Sequence, residues 1–274
     1  MAEDTRKPTM IVAGNCQGSF LERAIAESPD ITDRYRVVYF RAFRKGDPAV
    51  VSPDDIRDCE IMIEQIAHQA PIMPGIELLP ADCKIIRYPI LWMNSLWPFH
   101  IADPRNKPVQ GAPAGLFPYG DRLMLQILDE GLTPEQASER YLGTDIRKVI
   151  DLDRFHEINT VKAASLDQRA DLKWGGRTLQ DFKTDRLFVS RNHPTMDFLH
   201  YMRDGVFDAL GVKPPPSDLV QASGGMGEHH VPIHPQIAAH FGLEWCDPDM
   251  KYQHRSHSFS IGEYLRHYAA FKLP

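Results

Sequence analysis

The sequence predicts an α/β fold: a central, mostly parallel sheet flanked by helices, with a helical elaboration in the middle of the chain. Two observations point there. Short apolar runs rich in β-branched residues recur through the first ninety residues with helical patterns between them, and strands alternating with helices build parallel sheets. The first of these runs, "TMIVAG" (9–14), also passes through a Gly-Asn-Cys-Gln-Gly corner straight into a helical pattern. At 274 residues the chain is at the upper end of what one core supports. We therefore expect a single α/β domain over 1–274, with a helical insertion at about 119–175.

The elements follow in order. After "TMIVAG", Phe20, Leu21, Ala24 and Ile25 recur at helical spacing, so a helix runs from Gln17 to Ala26. "YRVVYFRAF" (35–43), "CEIMIEQI" (59–66) and "CKIIRYPIL" (83–91) read as the second, third and fourth strands. "SPDDIRD" (52–58) is a short helix with a serine cap and proline at its first position. Residues 94–121 turn irregular, but Trp97, Phe99, Phe117 and Tyr119 argue for an ordered loop over a site. "YGDRLMLQILDEG" (119–131) is a helix ended by glycine. A second helix follows, capped by Thr133 with Pro134 and Gln136 completing a capping box. Residues 145–174 form a long helical stretch broken once. "RLFVS" (186–190) is a further strand, "RNH" its turn, and Pro194 opens a helix whose buried stripe is Leu199, Met202, Val206 and Leu210, ended by Gly211. The tail from Ser256 is an amphipathic helix.

Composition narrows function. A hydrophobic content of 43%, a charged content of 25% and a net charge of −6 describe a soluble globular protein and argue against a nucleic-acid binder. No signal-peptide core and no membrane-spanning stretch are visible, so the expected location is cytoplasmic; peripheral association with a membrane-bound assembly is compatible with this. The four cysteines (Cys16, Cys59, Cys83, Cys246) are widely spaced and read as free thiols.

Cys16 is the residue to explain. Ligand sites of parallel sheets lie at the carboxyl ends of the strands, and Cys16 stands where the first strand ends and a helix begins. Amides and dipole at a helix start lower a cysteine pKa and can hold an oxyanion. Gly14 and Gly18 suit a tight turn. A small buried structural cysteine is the competing reading; Cys59, Cys83 and Cys246 lack comparable context and are taken as structural. A nucleophilic thiol needs a base, and among twelve histidines His193, at a strand-to-helix turn, ranks ahead of His68 and His100. "EHHVPIHP" (228–235) offers His229, His230 and His234, but its prolines break any helix that would align them, and no metal is expected. "SGGMG" (223–227) lacks the Lys-Ser/Thr of a phosphate loop. Lys84, Arg87, Arg105, Lys107, Arg122 and Arg191 are the basic residues near the expected sheet mouth, with Arg191 preferred for phosphate.

"IVAGNCQG", "RYPILWMNSLWPFH", the pair "YGDRLMLQILDEGLTPEQA" and "SRNHPT" together resemble the WcbI family of capsular polysaccharide biosynthesis proteins over nearly the whole chain. That family is regarded as acetyltransferases that bind coenzyme A. The resemblance implies an enzyme moving an acetyl group from acetyl-CoA to a sugar hydroxyl of a capsular or surface polysaccharide, and peripheral association with a capsule assembly complex is compatible with it. It carries onto Gly14, Asn15, Cys16 and Gln17, with His193 as the looser partner. In one mechanism Cys16 forms an acetyl-enzyme, His193 moves the proton, and the Gln17 and Gly18 amides with the Asn15 side chain hold the oxyanion. In the other, a histidine deprotonates the sugar directly and Cys16 only shapes the CoA pocket. Gly14 and Arg191 are the expected cofactor-binding residues. The alternatives are a cysteine-based esterase or thioesterase-like hydrolase, and a non-catalytic subunit binding CoA or a nucleotide-sugar. The aromatic loop, able to keep water out, favours transfer.

Overall fold

A computed structural model describes residues 7–42, 51–68, 72–112, 114–216, 227 and 229–271. In chain order the elements are β1 (Thr9–Gly14), α1 (Cys16–Ala26), α2 (Pro29–Thr32), β2 (Arg36–Arg41), α3 (Pro53–Arg57), β3 (Cys59–Ile66), β4 (Lys84–Pro89), β5 (His100–Ile101), β6 (Gly120–Asp121), α4 (Arg122–Leu128) and α5 (Pro134–Leu142). Then come α6 (Leu152–Asp167), α7 (Trp174–Asp181), β7 (Phe188–Ser190), β8 (His193–Pro194), α8 (Met196–Leu210), α9 (Pro235–Phe241), β9 (Tyr252–His254), β10 (His257–Phe259) and α10 (Ile261–Ala270). The α/β class is as the sequence predicts. No helix among the described residues is long and apolar enough to cross a membrane.

The chain forms two compact units: Met1–Leu91 with Val161–Leu179 and Pro194–Gly224, and Trp92–Thr160 with Gln180–His193 and Gly225–Pro274. The first holds a four-stranded sheet in the order β2-β1-β3-β4, every pair parallel. Strand β1 is buried along its whole length, as a strand covered on both faces must be. Ile11, Ala13 and Met62 pack with Ile56, Cys59 and Met73. Phe20, Leu21, Ala24 and Ile25 form the buried face of α1, which lies against β1, β2 and α8. Local chemistry sets the boundaries: Ser52 and Asp55 make a reciprocal capping box at α3, Thr133 and Gln136 do so at α5, and Gly211 closes α8 at φ 73°.

The second unit contains short antiparallel pairs, β5 with β6 and β9 with β10, plus α4, α5, α9 and α10. Its core is a mosaic of aromatic and imidazole rings. Phe117 stacks on His254 at 4.4 Å between centroids and approaches Tyr268 and Phe271, while His254 meets His229 at 4.9 Å. Trp97, Phe99 and Phe117 of the aromatic loop are buried, so much of that loop is core.

Several expectations are corrected. Run 186–190 does not join the parallel sheet: β7 pairs with β8 in a separate two-stranded sheet. Pro194 in β8 has no N–H to extend a ladder, and the Val189 carbonyl instead accepts from Val231 N–H at 2.8 Å. His193 therefore opens β8 in that separate pair and does not follow a strand of the four-stranded sheet. Helix α8 begins at Met196, two residues later than expected, because Thr195 is its cap. Stretch 145–174 breaks twice, into a 3-10 turn at Ile146–Lys148, then α6, then α7 starting at Trp174. Residues 223–226 of "SGGMG" and Phe43 of the second strand lie outside the described residues.

Burial holds His100, His193, His230 and His254 down to about 4. The unfolded chain binds these protons more readily, near 6.5, so stability present above pH 6.5 is lost as pH falls toward 4. The denaturation midpoint should fall steeply across that window, and His254→Gln should flatten the fall. A midpoint whose pH dependence is unchanged in the variant would remove the imidazoles from the account.

Candidate active site

The strand-to-helix corner at the end of β1 is built with side chains supplied by the other three strands of the sheet. Asn15 is the N-cap of α1, its Oδ1 accepting the Gln17 amide at 2.9 Å, the arrangement for which asparagine is favoured there. Cys16 follows as the first helical residue. From β3, Gln65 Oε1 accepts the Asn15 amide at 2.9 Å, and its Nε2 donates to Gln17 Oε1 at 3.0 Å. Gln17 Nε2 donates to the Leu91 carbonyl at 2.9 Å, and Gln17 Oε1 also accepts the Leu91 amide at 3.2 Å. From β2, the Tyr39 hydroxyl lies 2.6 Å from the Asn15 carbonyl and 3.0 Å from that of Gly14. From β4, the buried Tyr88 hydroxyl packs under the corner with no hydrogen-bond partner. A Cβ on Gly18 would sit 2.8 Å from that hydroxyl, and one on Gly14 would lie closer still. The two glycines are what let Tyr88 approach.

This geometry revises three expected roles. The Gln17 amide is already used by Asn15 Oδ1, and the Gln17 side chain is a clamp across strand ends, so neither faces outward as an oxyanion donor. The Asn15 side chain is likewise occupied as a cap. The thiol of half-buried Cys16 is not lowered: burial pushes it up to about 11, against the Gln17 and Cys16 amides and Arg41, which all pull it down.

His193 belongs to the second unit and is buried. Its Nδ1 lies 2.6 Å from the Tyr119 hydroxyl. Burial, then His229 and His100, hold it neutral at pH 7. His100 is half-buried and faces the Tyr119 ring, whereas His68 is exposed at the end of β3. His234 caps α9, its Nδ1 accepting the Gln236 amide at 3.2 Å while Nε2 lies 3.0 Å from the Tyr141 carbonyl. Among the described residues no group of three or more His, Cys, Asp or Glu side chains is arranged to hold a metal.

The six basic candidates separate clearly. Arg87 pairs with Glu64 at 3.0 Å and Arg105 with Asp103 at 2.8 Å. Lys84 starts β4, away from the sheet mouth, and donates to the Ala209 carbonyl at 2.7 Å; Lys107 and Arg122 are exposed. Arg191 alone among the six keeps a buried Nε with no partner, and burial lowers its pKa. The sequence singles out none of Tyr39, Gln65 and Tyr88, and it marks Tyr119 only as a loop aromatic, not as the partner of His193. The legible trace was Glu64-Gln65, two polar residues ending an apolar run.

The model of the polysaccharide biosynthesis enzyme family WcbI matches residues 9–215, most of the 274-residue chain. The chain belongs to that family. Among solved structures, this WcbI-family chain is similar to WcbI itself, described as a novel polysaccharide biosynthesis enzyme and as the native protein without a disulfide bond between coenzyme A and one of its cysteines. The likeness has a TM-score of 0.65 at 16% identity and covers 96% of this chain and 88% of that one; it bears on the fold. No curated protein sequence matches.

Two outcomes follow for the WcbI-family corner. Gln65→Ala should cost roughly 2–4 kcal/mol, because it strands the Asn15 amide and one acceptor of Gln17 in a buried site; a loss under about 0.5 kcal/mol in urea denaturation would show the clamp to be dispensable. Alkylation of Cys16 by iodoacetamide in the free protein should be slow at pH 7 and rise about tenfold per pH unit through pH 9. A plateau below pH 8 would contradict the raised thiol.

Proposed function

We propose that the chain binds coenzyme A and transfers an acetyl group from acetyl-CoA to a sugar hydroxyl during assembly of a capsular or surface polysaccharide. The observation that carries this reading is Cys16 as first residue of α1, at the carboxyl edge of a parallel sheet, where such folds take their ligands. Family membership supplies the polysaccharide context, and the similar structure described in terms of coenzyme A and a cysteine supports the cofactor. Arg191, with its unpartnered Nε, is the residue proposed for a CoA phosphate, since a desolvated guanidinium is stabilised by an anion. Gly14, the last residue of β1 and next to the corner, is the second residue proposed to contact the cofactor.

The chemistry then distributes as follows. His193 is neutral at pH 7 and takes the proton of the acceptor hydroxyl. That role needs the tautomer with hydrogen on Nδ1, donated to Tyr119, leaving Nε2 to accept. Cys16 faces the thioester. At pH 7 a thiol of pKa about 11 is ionised in roughly one molecule in ten thousand. An acetyl-Cys16 route therefore requires the proton to be removed after the cofactor arrives, whereas direct attack by the sugar oxygen requires no thiolate. Raised thiol and neutral imidazole together favour direct transfer, with Cys16 shaping the pocket.

Calorimetric titration with coenzyme A tests the reading. Wild type should bind saturably, Arg191→Met should weaken binding about tenfold or more, and Cys16→Ala should still bind. Under direct transfer Cys16→Ala also keeps measurable acetyl transfer. Absence of binding by folded wild type would sink the transferase and favour the hydrolase.

A further inference from the structure

At the opposite end of the sheet from Cys16, two other sulfurs face each other. Cys59 opens β3 and Cys83 immediately precedes β4, and their Sγ atoms are 3.8 Å apart. We propose that Cys59 and Cys83 form a redox-active dithiol that closes to an intrachain disulfide when oxidised by a low-molecular-weight disulfide.

The geometry carries the inference. A disulfide needs the sulfurs at about 2.0 Å, so side-chain rotation must close about 1.8 Å, and the two sulfurs already touch. Their environments are unequal in the useful way. Cys59 is fully buried, with its sulfur also 3.2 Å from the Ile61 carbonyl, whereas Cys83 is half-buried. An open cleft of about 670 Å³ lies beside the pair, lined by Cys59 and by Asp82 and Lys84, the two chain neighbours of Cys83, though not by Cys83 itself. The shared sulfur–sulfur contact, with burial behind it, holds Cys59 up as the protonated partner of the pair. Cys83, the more exposed of the two, is thus the sulfur a small disulfide can reach, and Cys59 the one placed to resolve. Cys16 and Cys246 are both raised by burial and have no neighbouring sulfur among the described contacts.

The step balances. Cys83 thiolate attacks one sulfur of the small disulfide, forming a mixed disulfide and releasing one thiolate. Cys59 loses its proton and attacks Cys83 Sγ, expelling the second. Two protein thiols are oxidised, one small disulfide is reduced to two thiols, and the two protons go to the released sulfurs. The sequence alone hides the pair, because twenty-four positions separate residues that parallel strands bring together.

The full chain should be incubated with oxidised glutathione, quenched with iodoacetamide and digested without reduction. The expected result is a Cys59–Cys83 linked peptide, loss of the mass of two hydrogens with no glutathione retained at these positions, reversal by dithiothreitol, and a melting temperature several degrees higher when oxidised. Cys83→Ser should give neither the linked peptide nor the shift. A stable glutathione adduct on Cys83, or both thiols still alkylatable once the oxidant has been consumed elsewhere, overturns the proposal. The wild-type comparison decides alone if the variant folds poorly.

Discussion

The crossed carboxamides of Gln17 and Gln65 are the contact on which the corner depends. A parallel strand that stops inside a protein leaves peptide groups that water cannot reach, and each must find a partner. Here β1 stops at Gly14 and the chain enters a helix within two residues. Gln65 takes the first orphan amide, Gln17 bridges to the chain beyond β4, and Tyr39 closes the carbonyl side. Each primary amide offers a donor and an acceptor on one rigid plane, so a pair can join three strand ends where a hydroxyl could not. The turn that carries Cys16 is therefore held by these non-local contacts as well as by its local Asn15 cap.

That closeness has a chemical consequence. A helix start favours a nearby anion by about 0.3–1 kcal/mol. Raising a thiol from 9.0 to about 11 corresponds to about 2.7 kcal/mol in favour of the protonated form. Desolvation wins. The packing that fixes the sulfur's position also keeps it uncharged, and only a ligand that adds positive charge or hydrogen bonds near Sγ could reverse the balance.

Much of the first unit was legible because it rests on local signals. The apolar run of β1, the Ser52 and Thr133 caps and the αL glycine after α8 each act within a few residues, and the structure keeps them. What the sequence did not reveal depends on distance. Gln17 reads as a turn residue until Leu91, seventy-four positions away, is seen to bond both ends of its amide. Run 186–190 has the composition of a buried strand, but composition does not name its partner. A proline three residues after Arg191 and the waiting Val231 amide sent it elsewhere. Trp97, Phe99 and Phe117 looked like a lid because irregular sequence with aromatics has two uses, and only burial tells core from cover.

The second unit concentrates the unresolved charge. Arg191 carries a buried Nε without a partner, and its field is one of the causes that keep His100 neutral; His100 in turn helps hold His193 down. These groups compete for the same scarce solvation, so one cation is tolerated and the imidazoles give up their protons. An anion at Arg191 would relax that competition. Linkage then requires anion binding and imidazole protonation to favour each other by equal amounts. A phosphate-bearing ligand would thus raise the proton affinity of His193 from about 4 toward neutrality, the range in which an imidazole accepts and returns a proton most effectively at pH 7.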